Sequence, residues 1–301
     1  MNIILFLPTL LIVTMCNHSL AEEIPLKNGI IYEIKHNNKI SGHLIGVSHI
    51  LPKELDTPPS TLVAEVISKS DGLFTEIGII QFITNPKYFL KKFDAAKKGN
   101  TIFDAISRNQ FTYLENQLTP MFGPDTRKLL EENHPFNIGG ALFSLCAAEV
   151  QLSTTETELA ILAASEDKPI MALETVDEQI SSLPPLNTKF WARYLAEISA
   201  YVARPDCVKL QEISYKKMAE SINNGDLNGL ELLINNSYST LNVKELDKFF
   251  ISGRNNKFSE KILREINSGK NYVFAVGASH LMGSDGIIKN LESHGITITK
   301  K

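Results

Sequence analysis

The architecture of this chain follows from one segment near its end, Tyr272-Val273-Phe274-Ala275-Val276-Gly277-Ala278-Ser279-His280. Its apolar run predicts a buried β-strand, and the glycine and histidine that follow predict a sharp turn at the carboxyl end of that strand. The same Gly-x-x-His pattern follows an earlier apolar run, His43-Leu44-Ile45, as Gly46-Val47-Ser48-His49. A histidine just past a strand is rigidly held and still reaches solvent. We therefore expect His49 and His280 at two strand ends, where they can meet in one site.

The residues around the first Gly-x-x-His predict two strands, a helix and another strand. Residues 30–34 and 40–45 have the pattern of two strands that a turn over residues 36–39 joins. Ser60 predicts a helix N-cap, because apolar residues at helical spacing follow it. These residues are Leu62, Val63, Val66 and Ile67. Residues 72–78 then predict a buried strand that carries Glu76 near its end.

The C-terminal portion repeats this plan. One helical face is predicted by the spacing of Phe258, Ile262, Leu263 and Ile266. The strand at 272–276 follows, and His280 then lies on the loop before a helix predicted over residues 285–294. Gly295 ends that helix ahead of a last strand at 296–299. The two portions together predict two strand-helix-strand halves of one central sheet.

Length and composition fit a single α/β domain over residues 22–301. Folds of this class often reach about 250 residues as one unit, and no linker rich in Gly, Ser or Pro divides the chain. Between the halves, residues 85–250 predict a large, mainly helical insertion with one short strand at 169–173 that ends at Glu174. The net charge of −4 lacks the basic excess of nucleic-acid-binding proteins, so we expect no nucleic-acid partner.

The first 21 residues have the pattern of a cleaved secretory signal. Their apolar run, residues 3–15, is shorter than the roughly 20 residues of a membrane span. Small residues at Ser19 and Ala21 predict cleavage after Ala21, although no Lys or Arg precedes the apolar run. We expect a secreted or periplasmic protein with no stable membrane insertion after cleavage. An uncleaved anchor and lipidation of Cys16 are the alternatives, and Met15 argues against lipidation.

Signal removal leaves two cysteines, Cys146 and Cys207. In an oxidising compartment they could pair, and a bridge closing a loop of about 60 residues would stabilise the fold by roughly 4 kcal/mol in the chain-entropy model. The alternative is two separate buried thiols, and spacing does not decide between them. Without a Cys-x-x-Cys motif, neither a zinc ribbon nor a thioredoxin-like site is indicated.

Four of the predicted strand ends carry side chains suited to chemistry: His49, Glu76, Glu174 and His280. Functional groups of open α/β sheets collect at the carboxyl ends of strands. Neutral imidazole together with carboxylate suits a divalent ion such as Zn, Mn or Co, which could activate water. The alternative is a set of hydrogen-bonded loop histidines and structural carboxylates, and for Glu174 the pattern favours that structural interpretation.

Other catalytic signatures are absent from the sequence. It has no His-Glu-x-x-His, no Gly-x-Ser-x-Gly, no Gly-x-x-x-x-Gly-Lys and no Gly-x-Gly-x-x-Gly. Arg254, in Gly253-Arg254-Asn255-Asn256, opens the penultimate predicted helix and could orient a carboxylate or a substrate carbonyl. Its alternative is a solvated surface arginine.

Five sequence blocks, taken in order, resemble the TraB/GumN family, which includes the Tiki proteases. The blocks are residues 43–49, residues 70–76, residues 168–175 with Glu178-Gln179, the pair Arg254-Asn255, and residues 274–283 with Asp285-Gly286. Each block is weak alone, but the match is collinear over nearly the whole mature chain. One departure is Thr155-Glu156-Thr157-Glu158, where the family often has Gly-x-Asp, which puts a role for an acid there in doubt.

The resemblance implies an erythromycin-esterase/ChaN-like α/β fold. It also implies that His49, His280 and Glu76 serve a divalent metal ion and that Glu76 and Arg254 are catalytic, since these positions go with metal-dependent peptide cleavage in Tiki-like members. The identity of the metal is open among Mn, Co and Zn.

Two functional hypotheses follow from the residues and the resemblance. The first is a metal-dependent hydrolase acting on peptides or proteins, in which Glu76 is a third ligand or the general base and Arg254 stabilises oxyanion charge. The second is a non-catalytic protein that binds a peptide or a metal-containing ligand in the same cleft. Helical faces of the insertion could form a lid over the cleft or a homodimer.

Overall fold

A six-stranded mixed sheet lies at the centre of the structure, a computed structural model that describes residues 29–49, 51–52, 60–78, 86–97, 100–146, 152–153, 155–240 and 247–301. The strands are β1 (Ile30–His36), β2 (Lys39–Val47), β3 (Leu51–Pro52), β4 (Gly72–Thr75), β5 (Leu152–Ser153), β6 (Ile170–Ala172), β7 (Tyr272–Gly277) and β8 (Thr297–Lys300). The order in the main sheet is β6-β4-β7-β2-β1-β8, and β3 pairs with β5 in a separate ribbon. An α/β fold is therefore confirmed.

Four neighbouring strands of the sheet run parallel. β2 pairs with β7, β7 with β4, and β4 with β6, all in parallel register. Their carboxyl ends therefore lie along one edge of the sheet. β1 and β2 form the predicted hairpin, whose turn places Asn37 and Asn38 at φ values of 51° and 61°. Asparagine tolerates this left-handed region better than most residues, which explains the paired asparagines.

Helices surround the sheet and form most of the described chain between β4 and β7. They are α1 (Thr61–Ser68), α2 (Pro86–Ala96), α3 (Arg108–Phe122), α4 (Thr126–Glu132), α5 (Pro135–Phe143), α6 (Thr155–Ser165), α7 (Val176–Ser181), α8 (Lys189–Val202), α9 (Cys207–Asn223), α10 (Leu227–Thr240), α11 (Gly253–Ile266) and α12 (Ile287–Ser293). Ser60 caps α1 as predicted, because its side chain accepts a hydrogen bond from Val63 N. Within the described residues, no helix combines the length and the hydropathy needed to cross a membrane.

The sheet is buried on both faces. Along β7, Val273 and Ala275 pack into one hydrophobic core, while Phe274 and Val276 pack into a second core on the opposite face. This alternation follows from the two-residue period of a strand. A strand buried on both sides is apolar at every position, which explains the continuous apolar run of β7. The two cores hold the strand ends in fixed positions.

The C-terminal portion differs in connectivity from a simple repeat of the first. After α12 the chain crosses to the far edge, where β8 pairs antiparallel with β1. The helical insertion contributes β6, which extends the parallel part of the sheet beyond β4. Predicted boundaries shift by one to three residues at several ends, and the strand predicted over 72–78 stops at Thr75. The predicted signal over residues 1–21 lies outside the described residues.

Cys146 and Cys207 form a disulfide bond with a Cα–Cα distance of 5.5 Å. The bond joins the 3-10 turn that follows α5 to the first residue of α9. Of the two alternatives that the sequence left open, the structure therefore contains the paired one.

Candidate functional site

The carboxyl edge of the parallel strands gathers the residues that the sequence singled out. His49 follows β2, Glu76 follows β4, and Glu174 follows β6 by two residues. His280 lies in the 3-10 turn after β7, and Arg254 reaches the same place from the first turn of α11. The parallel register of the strands accounts for this meeting of residues that are far apart in the chain.

Glu76 lies at the centre of this cluster and is only 4% exposed. Its Oε1 is 3.1 Å from His49 Nε2 and 3.3 Å from His280 Nε2. The same oxygen accepts a hydrogen bond from Gly277 N at 2.7 Å. Its Oε2 accepts one from Arg254 Nη2 at 2.6 Å. Both carboxylate oxygens are thus fixed by nitrogen atoms from four residues that are far apart in the chain or on different elements.

The glycines of the two Gly-x-x-His motifs serve separate purposes. A Cβ atom on Gly277 would lie 2.9 Å from His49 Nε2 and 3.1 Å from Glu76 Oε1, so any side chain there would press on the cluster. A Cβ atom on Gly46 would instead lie 2.7 Å from Ile30 Cγ2 in the core. Gly46 therefore keeps space for strand packing, and Gly277 keeps space for the site.

Each histidine is anchored through its second ring nitrogen. His49 Nδ1 lies 3.1 Å from Glu156 Oε2, and His280 Nδ1 lies 2.7 Å from Asn255 Oδ1. The Asn255 amide is itself oriented, because its Nδ2 donates to the carbonyl of Asp285 at 2.8 Å. An oxygen that only accepts requires Nδ1 of each ring to carry the proton, which directs Nε2 toward Glu76.

Arg254 is 6% exposed, and both of its Nη atoms are hydrogen-bonded. Besides Glu76, its guanidinium donates to Glu174 Oε1 and to the carbonyl of Phe250 at 2.8 Å. Its Nη1 is also 3.3 Å from His280 Nε2. The guanidinium further lies over the ring of Phe258, with 4.9 Å between Cζ and the ring centroid. This set of contacts fixes Arg254 behind Glu76, so the alternative of a solvated arginine is wrong.

Glu76 and His49 carry opposite charges. Burial alone would raise the pKa of Glu76, but the neighbouring side chains of His280, Arg254 and His49 hold it well below its usual value. Burial opposes the charge of His49 as well, yet Glu76 and Glu156 raise its pKa to about 10. At neutral pH, Glu76 is therefore a carboxylate and the site strongly attracts a cation beside it.

His280 and Glu174 respond mainly to burial. Burial lowers the pKa of His280, and although Glu76 acts in the opposite direction, the charges of Arg254 and His49 add to the lowering. Burial raises the pKa of Glu174 to about 7, while Arg254 opposes the rise. His280 is consequently neutral with a lone pair on Nε2, and Glu174 exchanges its proton near neutral pH.

The chemistry of these side chains suits a divalent metal ion. Both Nδ1 atoms are engaged by oxygen, as in metal-binding histidines, and both Nε2 atoms lie within 3.3 Å of one carboxylate oxygen. Two imidazoles and a carboxylate are ligands that Zn, Mn and Co accept. As arranged, these groups hydrogen-bond to one another, and among the described residues no group of three or more His, Cys, Asp or Glu side chains has the spacing of a metal centre.

Sequence reasoning missed two members of the cluster. Glu156, in the first turn of α6, also accepts a hydrogen bond from Glu76 N at 3.1 Å, so an acid does serve the site at the position that the sequence put in doubt. Asn255 was noted only as the neighbour of Arg254. Its placement beside a site arginine, in the first turn of the same helix, was the available signal. Glu174 is ion-paired with Arg254, as its structural interpretation anticipated.

A cavity of about 680 Å³ adjoins the cluster. His49, Gly277 and Ser279 line the end of the cavity nearest the sheet, and residues mainly of α9 and α10 line the rest of it, together with Phe143, Tyr201 and Arg204. The side chain of His49 is 25% exposed, whereas that of Glu76 is only 5% exposed. His49 is thus the member of this pair that a bound molecule reaches first.

Comparisons with known proteins agree with the motifs. The sequence model described as the TraB/PrgY/gumN family matches residues 30–300. A protein of Nematostella vectensis named "Metalloprotease TIKI homolog" is 25% identical over 213 residues, which cover 61% of this chain and 45% of that protein. The chain thus spans less than half the length of this relative. No solved structure gives a significant match.

Proposed function

This chain belongs to the TraB/PrgY/gumN family, and from that premise we propose that it is a divalent-metal-dependent hydrolase that cleaves peptides. One observation carries the proposal. Two anchored imidazoles, those of His49 and His280, direct Nε2 at the same oxygen of an ionised carboxylate, Glu76. Buried titratable groups whose pKa values are shifted by specific charged partners concentrate at functional sites.

His49, His280 and Glu76 would hold the ion, which we take to be Mn, Co or Zn. When bound, such an ion lowers the pKa of water and polarises a carbonyl group. Glu76 and Glu156, which raise the pKa of His49 to about 10, place negative charge where the ion would bind, and the ion would have to displace the proton from His49 Nε2. The proposed fold is the erythromycin-esterase/ChaN-like arrangement of the family.

The remaining side chains orient these three. Glu156 and Asn255 fix the two imidazole rings, while Arg254 keeps Glu76 ionised and fixes the direction of its carboxylate. As the alternative to binding the ion, Glu76 would accept a proton from water that enters past His49. Stabilisation of oxyanion charge by Arg254 stays a prediction, and the depth of this residue behind Glu76 favours an orienting role.

A non-catalytic binding protein is the second candidate. It is favoured by the internal hydrogen bonds of the cluster, which occupy both oxygens of Glu76. Such a protein would need the same ligand residues and the same cavity but no proton transfer. We further propose that the chain acts outside the cytoplasm, on the basis of the signal pattern of residues 1–21.

The decisive experiment uses purified protein that begins at Glu22. Elemental analysis should find a stoichiometric divalent metal, and a library of unstructured peptides should be cleaved. Chelator should abolish cleavage, and Mn, Co or Zn should restore it. Stoichiometric metal without cleavage would favour the binding protein, and the absence of both metal uptake and cleavage would refute the hydrolase.

A further inference from the structure

The cavity beside the cluster shares its inner end with the proposed catalytic groups. Val47, Ser48 and His49 from the end of β2 and Gly277 to Ser279 from the end of β7 form this end. At about 680 Å³, the cavity falls within the range of about 300–1,000 Å³ that is typical of ligand sites. A molecule bound in it would extend directly away from His49.

The walls of the cavity are predominantly apolar. From α9 come Leu210, Ile213 and Met218, and from α10 come Leu233 and Ile234. Ile213 is 43% exposed, so its side chain is open to contact with a bound molecule. The helical insertion thus presents an apolar surface toward the site rather than a solvated one.

Polar groups interrupt this wall at a few positions. Tyr201 donates a hydrogen bond to Gln211 Oε1 at 3.1 Å, and Gln211 also bonds to Tyr215, whose pKa burial raises to about 12. Both phenols therefore stay neutral, and with Ser214 they offer hydrogen-bonding groups along the cavity. An extended peptide backbone needs such partners, whereas an acyl chain of equal bulk does not.

The charge along the cavity has one sign. Among its described lining residues, the charged or titratable groups other than the tyrosines are His49, Arg204 and Lys217. Arg204 is paired with Asp206 at 3.1 Å, and Lys217 is exposed on α9. Because His49 and Arg204 are each paired with carboxylates outside the lining, Lys217 supplies most of the repulsion that a cationic side chain would meet in this cavity.

Resting on the function proposed above, we infer that the cavity binds the apolar side chains of a peptide substrate on one side of the cleaved bond and rejects lysine and arginine there. The shared inner end places the peptide, the apolar wall binds its side chains, and the cationic lining provides the discrimination. The helical insertion is thereby the part of the chain that sets specificity.

Two matched pairs of variants test this inference. Ile213→Asp alters the wall, and Val208→Asp is its control, because Val208 is 54% exposed on the same helix and outside the cavity lining. Lys217→Glu alters the charge, and Lys216→Glu is its control on the neighbouring exposed position. All four positions are exposed, so the fold should tolerate each change.

Binding is measured by fluorescence anisotropy with dansylated pentapeptides, in protein that also carries Glu76→Gln so that turnover does not interfere. A Leu/Phe peptide should bind at least about tenfold more tightly than its lysine counterpart. Ile213→Asp should lower the affinity for the Leu/Phe peptide about tenfold. Lys217→Glu should raise the affinity for the lysine peptide close to that for the Leu/Phe peptide. Neither control should differ from the parent protein.

Equal binding of both peptides, or equal effects of the altered positions and their controls, would overturn the inference. So would tighter binding of dansylated dodecanoate than of the Leu/Phe peptide, because that result assigns the cavity to acyl chains. The expected binding pattern without cleavage by the wild-type protein would leave the cavity assignment standing and refute the hydrolase. Cleavage without side-chain preference would support the hydrolase and refute the cavity assignment.

Discussion

Gly277 donates its backbone N–H to Glu76 Oε1 at 2.7 Å, across 201 positions of sequence. The two residues stand at the carboxyl ends of β7 and β4, which are neighbours in the sheet. A backbone donor cannot rotate away, so this bond sets the position of the carboxylate more firmly than a side chain would. The pairing of β4 with β7 therefore fixes the position of the Glu76 carboxylate.

Gly277→Ala tests whether this space matters for function. The backbone of Gly277 has φ −49° and ψ 130°, a conformation that alanine adopts without strain. A methyl group would nevertheless lie 2.9 Å from His49 Nε2 and 3.1 Å from Glu76 Oε1. We expect metal affinity or peptide cleavage to fall by about 100-fold, in the range for disturbed orientation of metal ligands.

Gly46→Ala is the matched control for that change. Its methyl group would press on Ile30 in the core, so we expect a loss of about 1–3 kcal/mol in unfolding free energy from overpacking. Per unit of folded protein, its metal affinity should stay close to that of the wild type. Equal functional loss in both variants would show that the two glycines act only through the fold.

Glu76→Gln keeps the shape of the central side chain and removes its charge. We expect cleavage to fall by about 100-fold or more, since a general base or ligand is lost. The fold should survive, because Arg254 keeps its contact with Glu174 and His49 keeps its contact with Glu156. Isothermal titration with Mn, Co and Zn, together with thermal unfolding, measures the two effects.

Glu174→Gln separates the roles of the two carboxylates that contact Arg254. It removes the other partner of the arginine and leaves the atoms around the two Nε2 groups in place. We expect a smaller change in metal affinity than for Glu76→Gln. A sharp fall in melting temperature with unchanged metal affinity in Glu76→Gln would instead identify Glu76 as a structural carboxylate.

Glu156→Gln tests an orienting residue. An amide at this position can present either oxygen or nitrogen to His49 Nδ1, so the fixed orientation of the ring is lost. We expect metal affinity to fall by about 10- to 100-fold with little change in the geometry of the rest of the cluster. Glu156→Asp should lower metal affinity to a similar extent, because the shorter side chain no longer reaches His49 Nδ1. Glu166→Gln, on the exposed turn after the same helix, should have no effect.

Much of the sheet edge was predictable from local pattern. Apolar runs that end in Gly-x-x-His or in glutamate identified β2, β4 and β7, and the rule that parallel strands share a carboxyl edge brought His49, Glu76 and His280 together. The sequence also predicted that Arg254 lies in the first turn of a helix, which the structure has as α11. These features depend on residues near each other in the chain.

The remaining features depend on tertiary contacts that no local pattern encodes. Glu156 reaches His49 only because α6 begins beside the end of β4, and its sequence neighbourhood resembles an ordinary helix N-terminus. The pairing of β8 with β1 joins strands from opposite ends of the described chain, which no local pattern indicates. The shape of the cavity arises from α9 and α10, whose apolar residues are scattered over two helices.

The Cys146–Cys207 bond should contribute substantially to stability. It closes a loop with a sequence separation of 61 residues and ties the start of α9 to the end of the α5 segment. The chain-entropy model gives roughly 4 kcal/mol for a loop of this size. We expect dithiothreitol to lower the melting temperature of the wild-type protein and to leave Cys146→Ser/Cys207→Ser unchanged at its already lower value. Insensitivity of the wild type to reductant would contradict the prediction.

His134 gives the structure a specific dependence on pH. The residue is 3% exposed, its Nδ1 accepts a hydrogen bond from Phe136 N, and its ring packs edge-on against Trp191 at 4.8 Å. Burial, and to a lesser extent Lys97, lowers its pKa to about 4. The unfolded chain, with a pKa near 6.5, therefore binds more protons than the folded chain between these two values.

Stability that depends on neutral His134 is fully present above about pH 6.5 and is lost as the pH falls toward about 4, by roughly 3 kcal/mol in total. His134→Asn keeps an N-cap side chain for α5 and removes the titrating group. Urea unfolding of both proteins across this pH range should show a shallower decline for the variant, after allowance for the carboxylates that titrate in both. Parallel declines would show that the folded protein accommodates protonated His134 without cost.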